Sequence, residues 1–147
     1  MAPLDRCLQE VLLERDVEGC AWDHRPMLSD GSFVVTHRLF HRASLIEVRG
    51  ELDLAHAPTL GIAVHQALAT NPVWLVIDLC RVTFVDARGL AVLLSARRRA
   101  LKAGVRLILA CDVQSTLRLL EHTRLGREFD VRPTRAAALL SLSPIGS

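Results

Sequence analysis

The segment "VWLVIDL", residues 73–79, restricts the fold of this chain more than any other feature. All its residues except Asp78 are apolar, and they do not alternate with polar residues as in a half-exposed strand. Such a run is typical of a strand that is covered on both faces, as in a parallel sheet with helices packed against it. The sequence therefore predicts an α/β fold with this strand inside the sheet.

The rest of the chain predicts the neighbours of this strand. Two β-like segments, residues 32–40 and 44–50, are separated by a short polar connection, which predicts a hairpin. Amphipathic helical segments then alternate with short apolar strands. The resulting order, β-β-α-β-α-β-α-β-α, predicts a mixed, mostly parallel sheet of about five strands with four helices.

The chain divides into three predicted parts. Residues 1–31 form an N-terminal extension, with a helix followed by a loop rich in Gly, Pro and Asp. Leu4, Leu8, Val11 and Leu12 have helical spacing and mark the apolar face of that helix. Residues 32–142 form the compact domain, and residues 143–147 form a flexible tail.

Composition argues against several functional classes. The chain has 147 residues, 50% of them hydrophobic, and a formal net charge of +2, which gives no strong field for nucleic acid or an anionic membrane. The arginines of "ARRRA", residues 96–100, point about 100° apart on a helix and do not form one basic face. No uncharged apolar run is long enough for a membrane span, and the acidic N-terminus does not fit a secretory signal. We expect a cytoplasmic protein that binds neither nucleic acid nor membrane.

No pattern in the sequence predicts a metal, a cofactor or an enzyme. The four cysteines form no C-x-x-C pair, and no histidine lies beside a cysteine pair. We expect them to be reduced and mostly buried. A Gly-rich phosphate loop and a catalytic triad are also missing from the sequence. The cysteines are Cys7, Cys20, Cys80 and Cys111.

A strand-to-helix corner is the main candidate for a functional site. Asp86 follows the apolar strand, and the sequence from Ala87 onward predicts a helix. The Asp86 carboxylate suits an N-cap, where it accepts backbone N–H groups and meets the positive end of the helix dipole. Loops at the carboxyl ends of parallel strands also gather ligands and partners. The corner therefore predicts either a helix cap alone or a recognition surface built on that cap.

Three separated motifs resemble those of one family. They are "RGELDLAHAPTL" (49–60), "VWLVIDLCRVTFVDARGLAVLL" (73–94) and "GVRLILACDVQSTLRLLEHTRLGREFDV" (104–131). Together they resemble the STAS domain, and more narrowly the bacterial anti-sigma factor antagonists, from about residue 32 to residue 140. The resemblance implies that the chain binds an anti-sigma factor that is also a serine kinase, and so frees a sigma factor.

The sequence departs from that family at the regulatory position. The family's kinase phosphorylates a serine directly after the corner Asp, and the added charge breaks the complex. Here that position is Ala87, which has no hydroxyl group, so the resemblance implies a docking surface without its usual switch. Thr83, in the predicted loop before the corner, is a weaker alternative phosphorylation site. The partner-binding residues implied by the resemblance are Asp86, Ala87, Arg88, Gly89, Leu90, Glu51 and Asp53.

Other interpretations of these residues stay open from the sequence. Asp53 is also typical of a turn or a helix cap. Asp78 and Asp86 would form a carboxylate pair in an enzyme or a small-ligand-binding domain, but no nucleophile or substrate pocket converges on them, and we favour capping or loop hydrogen bonding for Asp78. A STAS scaffold or accessory subunit of a stress-signalling or transporter complex is a further alternative. The sequence does not decide between a monomer and a homodimer.

Overall fold

The computed structural model describes residues 25–29, 33–40 and 42–142, which build one six-stranded sheet with four α-helices. The helix predicted in the N-terminal extension, whose apolar face is marked by Leu4, Leu8, Val11 and Leu12, and the tail 143–147 lie outside these residues. The strands are β1 (Arg25–Ser29), β2 (Phe33–Phe40), β3 (Ala43–Leu52), β4 (Trp74–Val85), β5 (Arg106–Ala110) and β6 (Asp130–Arg132). The helices are α1 (Ala57–Leu68), α2 (Ala87–Lys102), α3 (Gln114–His122) and α4 (Arg135–Leu140), with a 3-10 turn at Leu125–Arg127.

The sheet follows chain order, β1-β2-β3-β4-β5-β6. The β1–β2 and β2–β3 pairs are antiparallel, and the β3–β4, β4–β5 and β5–β6 pairs are parallel. The β2–β3 pair is the predicted hairpin, and it closes where Phe40 faces Ala43. The mixed, mostly parallel sheet and the order of elements from β2 onward are therefore confirmed.

Strand β1 lies inside the segment that the sequence predicts as a loop. It pairs with β2 from Arg25, opposite His37, to Ser29, opposite Val34. The loop prediction was wrong over these five residues, because Pro26 and the neighbouring Asp-Gly pair resemble a turn. Pro26 is compatible with an edge strand, where one side of the backbone needs no hydrogen-bonding partner. The sheet accordingly has six strands instead of about five.

The larger core lies between one face of the sheet and helices α1, α2 and α3. Leu60 and Val64 of α1 are buried at i and i+4, and Leu90 and Leu93 of α2 are buried at i and i+3, as in amphipathic helices. In the strand that opened the sequence analysis, Leu75, Ile77 and Leu79 face this core. Their neighbours in β4 point to the other side, which explains why the run is apolar on both faces.

The opposite face of the sheet, called the second face below, is covered more sparsely. Among the described residues only one helix, the six-residue α4, packs on it. The cluster between α4 and the sheet consists of Ala43, Leu45, Trp74, Val76, Ile108, Ala110, Ala138, Leu139 and Leu142. Within the described ranges, none of the helices combines the length and the apolar character that a membrane span requires.

Candidate docking site

Asp86 caps helix α2, as the sequence predicts. Its backbone is extended, with φ −101° and ψ −173°, and Ala87 is the first helical residue. The Oδ1 atom of Asp86 accepts hydrogen bonds from the backbone N–H groups of Arg88 and Gly89, both at 2.9 Å. Two of the N–H groups that a helix start leaves without intrahelical partners are thereby satisfied.

Gly89 allows the end of β3 to pass directly beneath the first turn of α2. A Cβ atom at this position would lie 2.3 Å from the carbonyl oxygen of Leu52 and 2.9 Å from its Cγ. The same carbonyl accepts the Asp86 N–H at 3.2 Å. Leu90 is buried in the larger core, whereas Ala87 and Arg88 are exposed. Asp86, Gly89 and Leu90 therefore fix the corner, and Ala87 and Arg88 form its outer surface.

Asp53 organises the turn between β3 and α1. Its carboxylate accepts the His56 N–H at 3.1 Å and lies 2.9 Å from the imidazole Nδ1 atom. The His56 ring also stacks on Phe33, with 4.5 Å between ring centroids. Glu51 is an exposed residue of β3, one strand away from the corner. His56 was missed as part of this site, because one histidine carries no pattern that predicts its neighbours.

Two exposed apolar side chains flank the same corner. Leu54, in the turn after β3, is 63% exposed, and Phe84, two residues before Asp86, is 47% exposed. Phe84 pairs with Glu51 in the sheet register. Contiguous apolar patches with a polar rim mark surfaces that a partner covers, whereas single exposed apolar residues are common. The first turn of α2, with the exposed Arg88, thus lies between two exposed apolar side chains, Leu54 and Phe84.

Comparison with known proteins decides the family. A family model described as the STAS domain matches residues 36–138. The chain belongs to the STAS domain family. Its order of strands and helices and its Asp-capped corner agree with the resemblance that the sequence motifs carry.

Within the STAS family, this domain is similar to anti-sigma factor antagonists. The anti-sigma-F factor antagonist RsfB of Mycobacterium tuberculosis is 36% identical over 67 residues, which are 46% of this chain and 55% of RsfB. The chain thus spans about half the length of the curated relatives it matches.

Solved structures agree with this placement. An anti-sigma factor antagonist from Mycobacterium paratuberculosis superposes with a TM-score of 0.69 and 28% identity, over 77% of this chain and 96% of that one. SpoIIAA of Bacillus in its phosphorylated form shares the fold, with a TM-score of 0.54 and 18% identity over 67% of this chain and 90% of SpoIIAA. The chain is an anti-sigma factor antagonist-like STAS domain.

Thr83 does not lie in a loop. Strand β4 continues to Val85, so Thr83 is a strand residue, and its hydroxyl donates to the carbonyl oxygen of Gly50 at 3.3 Å. The β3–β4 register shifts twice, between Glu47 and Arg49 and between Gly50 and Glu51. These irregularities break the two-residue period on which the sequence prediction of strand length relies. The loop prediction was therefore wrong, although Thr83 is exposed on the surface of the STAS domain.

Asp78 lies in the middle of β4 and does not join Asp86. Asp78 and Asp86 are eight positions apart along a mostly extended backbone, at most about 26 Å at roughly 3.3 Å per strand residue. Asp78 is 7% exposed and accepts the Cys80 N–H at 2.9 Å, so its carboxylate makes a local backbone hydrogen bond from within the strand and not from its end. Burial raises the pKa of the Asp78 carboxyl, although this hydrogen bond and the Arg135 guanidinium act in the opposite direction.

A buried ion network joins Asp78 to three further charged residues. Glu47 accepts from Arg38 at 3.0 Å and from Arg135 at 2.8 Å, and Arg135 Nε lies 4.0 Å from Asp78 Oδ2. Arg38 and Glu47 are buried and Arg135 is largely so. We call Arg38, Glu47, Asp78 and Arg135 the buried ion network. Its members come from β2, β3, β4 and the start of α4, so the network fastens that helix to the second face.

The two described cysteines are free and in unreactive surroundings. Burial, with the Asp78 carboxylate next in importance, raises the pKa of the Cys80 thiol to about 12. Burial also raises the pKa of Cys111. Thiols that are protonated at neutral pH are poor nucleophiles and poor metal ligands. Over the described part of the chain, no group of three or more His, Cys, Asp or Glu side chains is arranged to hold a metal ion.

Proposed function

We propose that this STAS domain is a protein-binding module that docks onto an anti-sigma factor of the serine-kinase type and thereby frees a sigma factor. The observation that carries the proposal is the corner itself. Asp86 and Gly89 hold a rigid helix start whose first two side chains, Ala87 and Arg88, face solvent. The similarity to anti-sigma factor antagonists supports this corner as the contact surface.

The proposal includes the loss of the usual phosphorylation switch. Ala87 stands directly after the capping Asp86 and offers no oxygen to a kinase. Arg88 adds a cation where the family's phosphate would introduce negative charge. An antagonist of this kind stays competent to bind its partner whatever the activity of the kinase. The amounts of the two proteins, instead of a covalent modification, then set how much complex forms.

Ala87→Asp tests the docking surface. A carboxylate in the first turn of α2 suits the helix dipole, by about 0.3–1 kcal/mol, so the melting temperature should hardly fall. An added charge that is buried without a counter-ion at an interface costs several times more. We expect calorimetric titration with the anti-sigma factor kinase of the same organism to show binding weakened about tenfold or more. Adding Arg88→Ser should weaken it further, because the neighbouring cation is then gone.

Ala136→Asp is the matched control. Ala136 is also exposed in the first turn of a capped helix, α4, but that helix lies on the second face of the sheet. This variant should bind as tightly as the parent chain. If Ala87→Asp and its double variant also bind as tightly as the parent, the corner is not the interface and Asp86 serves as a cap alone.

A further inference from the structure

A cavity of about 430 Å³ lies at the end of the sheet opposite to the Asp86 corner. The starts of β4, β5 and β6 line it, together with the second half of α2 and the end of α4. We call it the basal cavity. Its volume is within the range of about 300–1,000 Å³ that is usual for small-molecule sites. Because parallel strands have their amino ends at one end of the sheet, the basal cavity is separate from the docking corner.

The staggered starts of β5 and β6 create the cavity. Strand β5 pairs with β4 from its first residue, Arg106, which lies opposite Trp74. Its pairing with β6 begins two residues later, where Ile108 faces Asp130. At Arg106 and Leu107 the β6 side of β5 therefore has no neighbouring strand in the described chain, and both residues line the cavity. The gap is a slot in the plane of the sheet, one strand or about 4.8 Å wide.

The slot contains a backbone donor that the strand ladder leaves unused. The Arg106 N–H donates to the carbonyl oxygen of Val73 at 3.0 Å, on the β4 side. Successive N–H groups of a strand point to opposite sides, so the Leu107 N–H points into the slot. The Glu128 carbonyl, just before β6, accepts from the Arg97 side chain, and no backbone acceptor within the described residues meets the Leu107 N–H. A ligand oxygen can take the place of the missing β6 carbonyl.

The cavity has an excess of one positive charge. Three arginines and two acidic residues line it. Arg97 Nη2 lies 3.2 Å from Glu128 Oε2, and Arg132 Nε lies 3.0 Å from Asp130 Oδ1. The third arginine, Arg106, forms no ion pair with any residue that the structure describes. Its guanidinium group is planar and can hold a carboxylate by two parallel hydrogen bonds.

Much of the remaining wall is apolar. Trp74, which is 4% exposed, and Ile108 belong to the cluster between α4 and the sheet, whereas Val105 and Phe129 belong to the larger core. The cavity therefore reaches through the slot from one face of the sheet to the other. Leu101 of α2 also lines it and is 60% exposed. Such apolar surface around a few polar groups suits the hydrocarbon part of a small ligand.

We propose that the basal cavity binds a small aromatic carboxylate. The carboxylate pairs with the Arg106 guanidinium and accepts the Leu107 N–H. The ring lies in the slot against Trp74, because a flat group fits a space that is one strand wide. Arg97 and Arg132 keep their own carboxylate partners. This inference does not depend on the partner proposed for the docking corner.

Titration of the Trp22→Phe chain, in which Trp74 is the single remaining tryptophan, tests the proposal. Phenylacetate and 3-phenylpropionate are the probes, and phenylacetamide is the uncharged control. Each carboxylate, added up to millimolar concentrations, should change the Trp74 fluorescence saturably and shift the amide NMR signals of Arg106 and Leu107. Phenylacetamide should bind at least tenfold more weakly, because it lacks the charge that Arg106 recognises.

Arg106→Gln should weaken the binding of both carboxylates at least tenfold, with little change in melting temperature because the side chain is exposed. The matched control is Arg98→Gln, the same change at an exposed position of α2 outside the cavity, and it should bind like the parent. No saturable signal with either carboxylate overturns the proposal, as does equal binding of phenylacetamide or binding that survives Arg106→Gln. NMR shifts centred on Ala87 and Arg88 also overturn it, because the probe then binds at the corner.

Discussion

The α carbon of Gly89 and the carbonyl group of Leu52 approach so closely that a methyl group does not fit between them. This contact joins the end of β3 to the first turn of α2, and it places the exposed Ala87 and Arg88 relative to the turn that follows β3. The shape of the candidate docking site therefore depends on a residue without a side chain.

Gly89→Ala should destabilise the domain by about 1–3 kcal/mol, because the new methyl group forces the two backbones apart. Gly61→Ala, in the middle of α1, is the control. There a Cβ atom would meet Val92 Cγ2 at 3.5 Å, an ordinary contact, and alanine favours the helix by up to about 1 kcal/mol. Chemical denaturation should thus show a lower free energy of unfolding for Gly89→Ala and an unchanged or higher one for Gly61→Ala. Equal effects would contradict the assigned role of Gly89.

Glu47→Gln should cost about 3–5 kcal/mol of folding free energy, because it removes the buried negative charge that Arg38 and Arg135 both contact. Glu51→Gln makes the same chemical change four residues later in β3, where the side chain is exposed. That control should change stability by no more than about 0.5 kcal/mol. Urea unfolding of both variants measures the difference. A small loss for Glu47→Gln would show that the buried ion network contributes little to the free energy of unfolding.

Asp78→Asn should stabilise the domain at neutral pH. The folded state raises the pKa of this carboxyl above its ordinary value of 3.8, so the folded protein holds the proton more tightly than the unfolded chain. Stability from this group is then complete below pH 3.8 and is lost as pH rises through the raised folded pKa. Asparagine cannot ionise and keeps an oxygen for the Cys80 N–H. Melting curves should show a gain at pH 7 that vanishes below about pH 3.8.

The parent chain should take up no phosphate at positions 87 and 88 when it is incubated with the anti-sigma factor kinase and ATP. Ala87→Ser supplies a hydroxyl after the Asp86 cap and should be phosphorylated, with weaker partner binding afterwards. Mass spectrometry of both proteins decides the result. Phosphate on Thr83 of the parent, together with loss of binding, would show that the switch has moved within the chain.

The sequence predicts those parts of the fold in which local pattern and burial agree. The amphipathic helix α1 and the continuous apolar run of β4 were interpreted correctly, because each has a continuous core behind it. The Asp86 cap was also predictable, since capping depends on residues two and three positions away. These features need no knowledge of distant parts of the chain.

The errors arise where a distant part of the chain decides the local structure. Strand β1 exists because β2 provides a partner for it, and nothing in Arg25–Ser29 predicts that pairing. The irregular register of β4 hid the strand position of Thr83, and the buried Asp78 lies near Arg135, which is far along the chain. The contact between Gly89 and Leu52 also joins residues that are far apart in sequence. Local sequence patterns therefore do not predict which polar groups are buried.

The buried ion network affects the order in which parts of the domain fold. Glu47 belongs to the hairpin near the beginning of the domain, and one of its two arginines, Arg135, is 88 residues further along the chain. Contacts of such separation form late, because they close a long loop. During synthesis the Glu47 carboxylate is therefore only partly neutralised until α4 leaves the ribosome. Truncation before Arg135 should produce a nascent chain that chaperones retain.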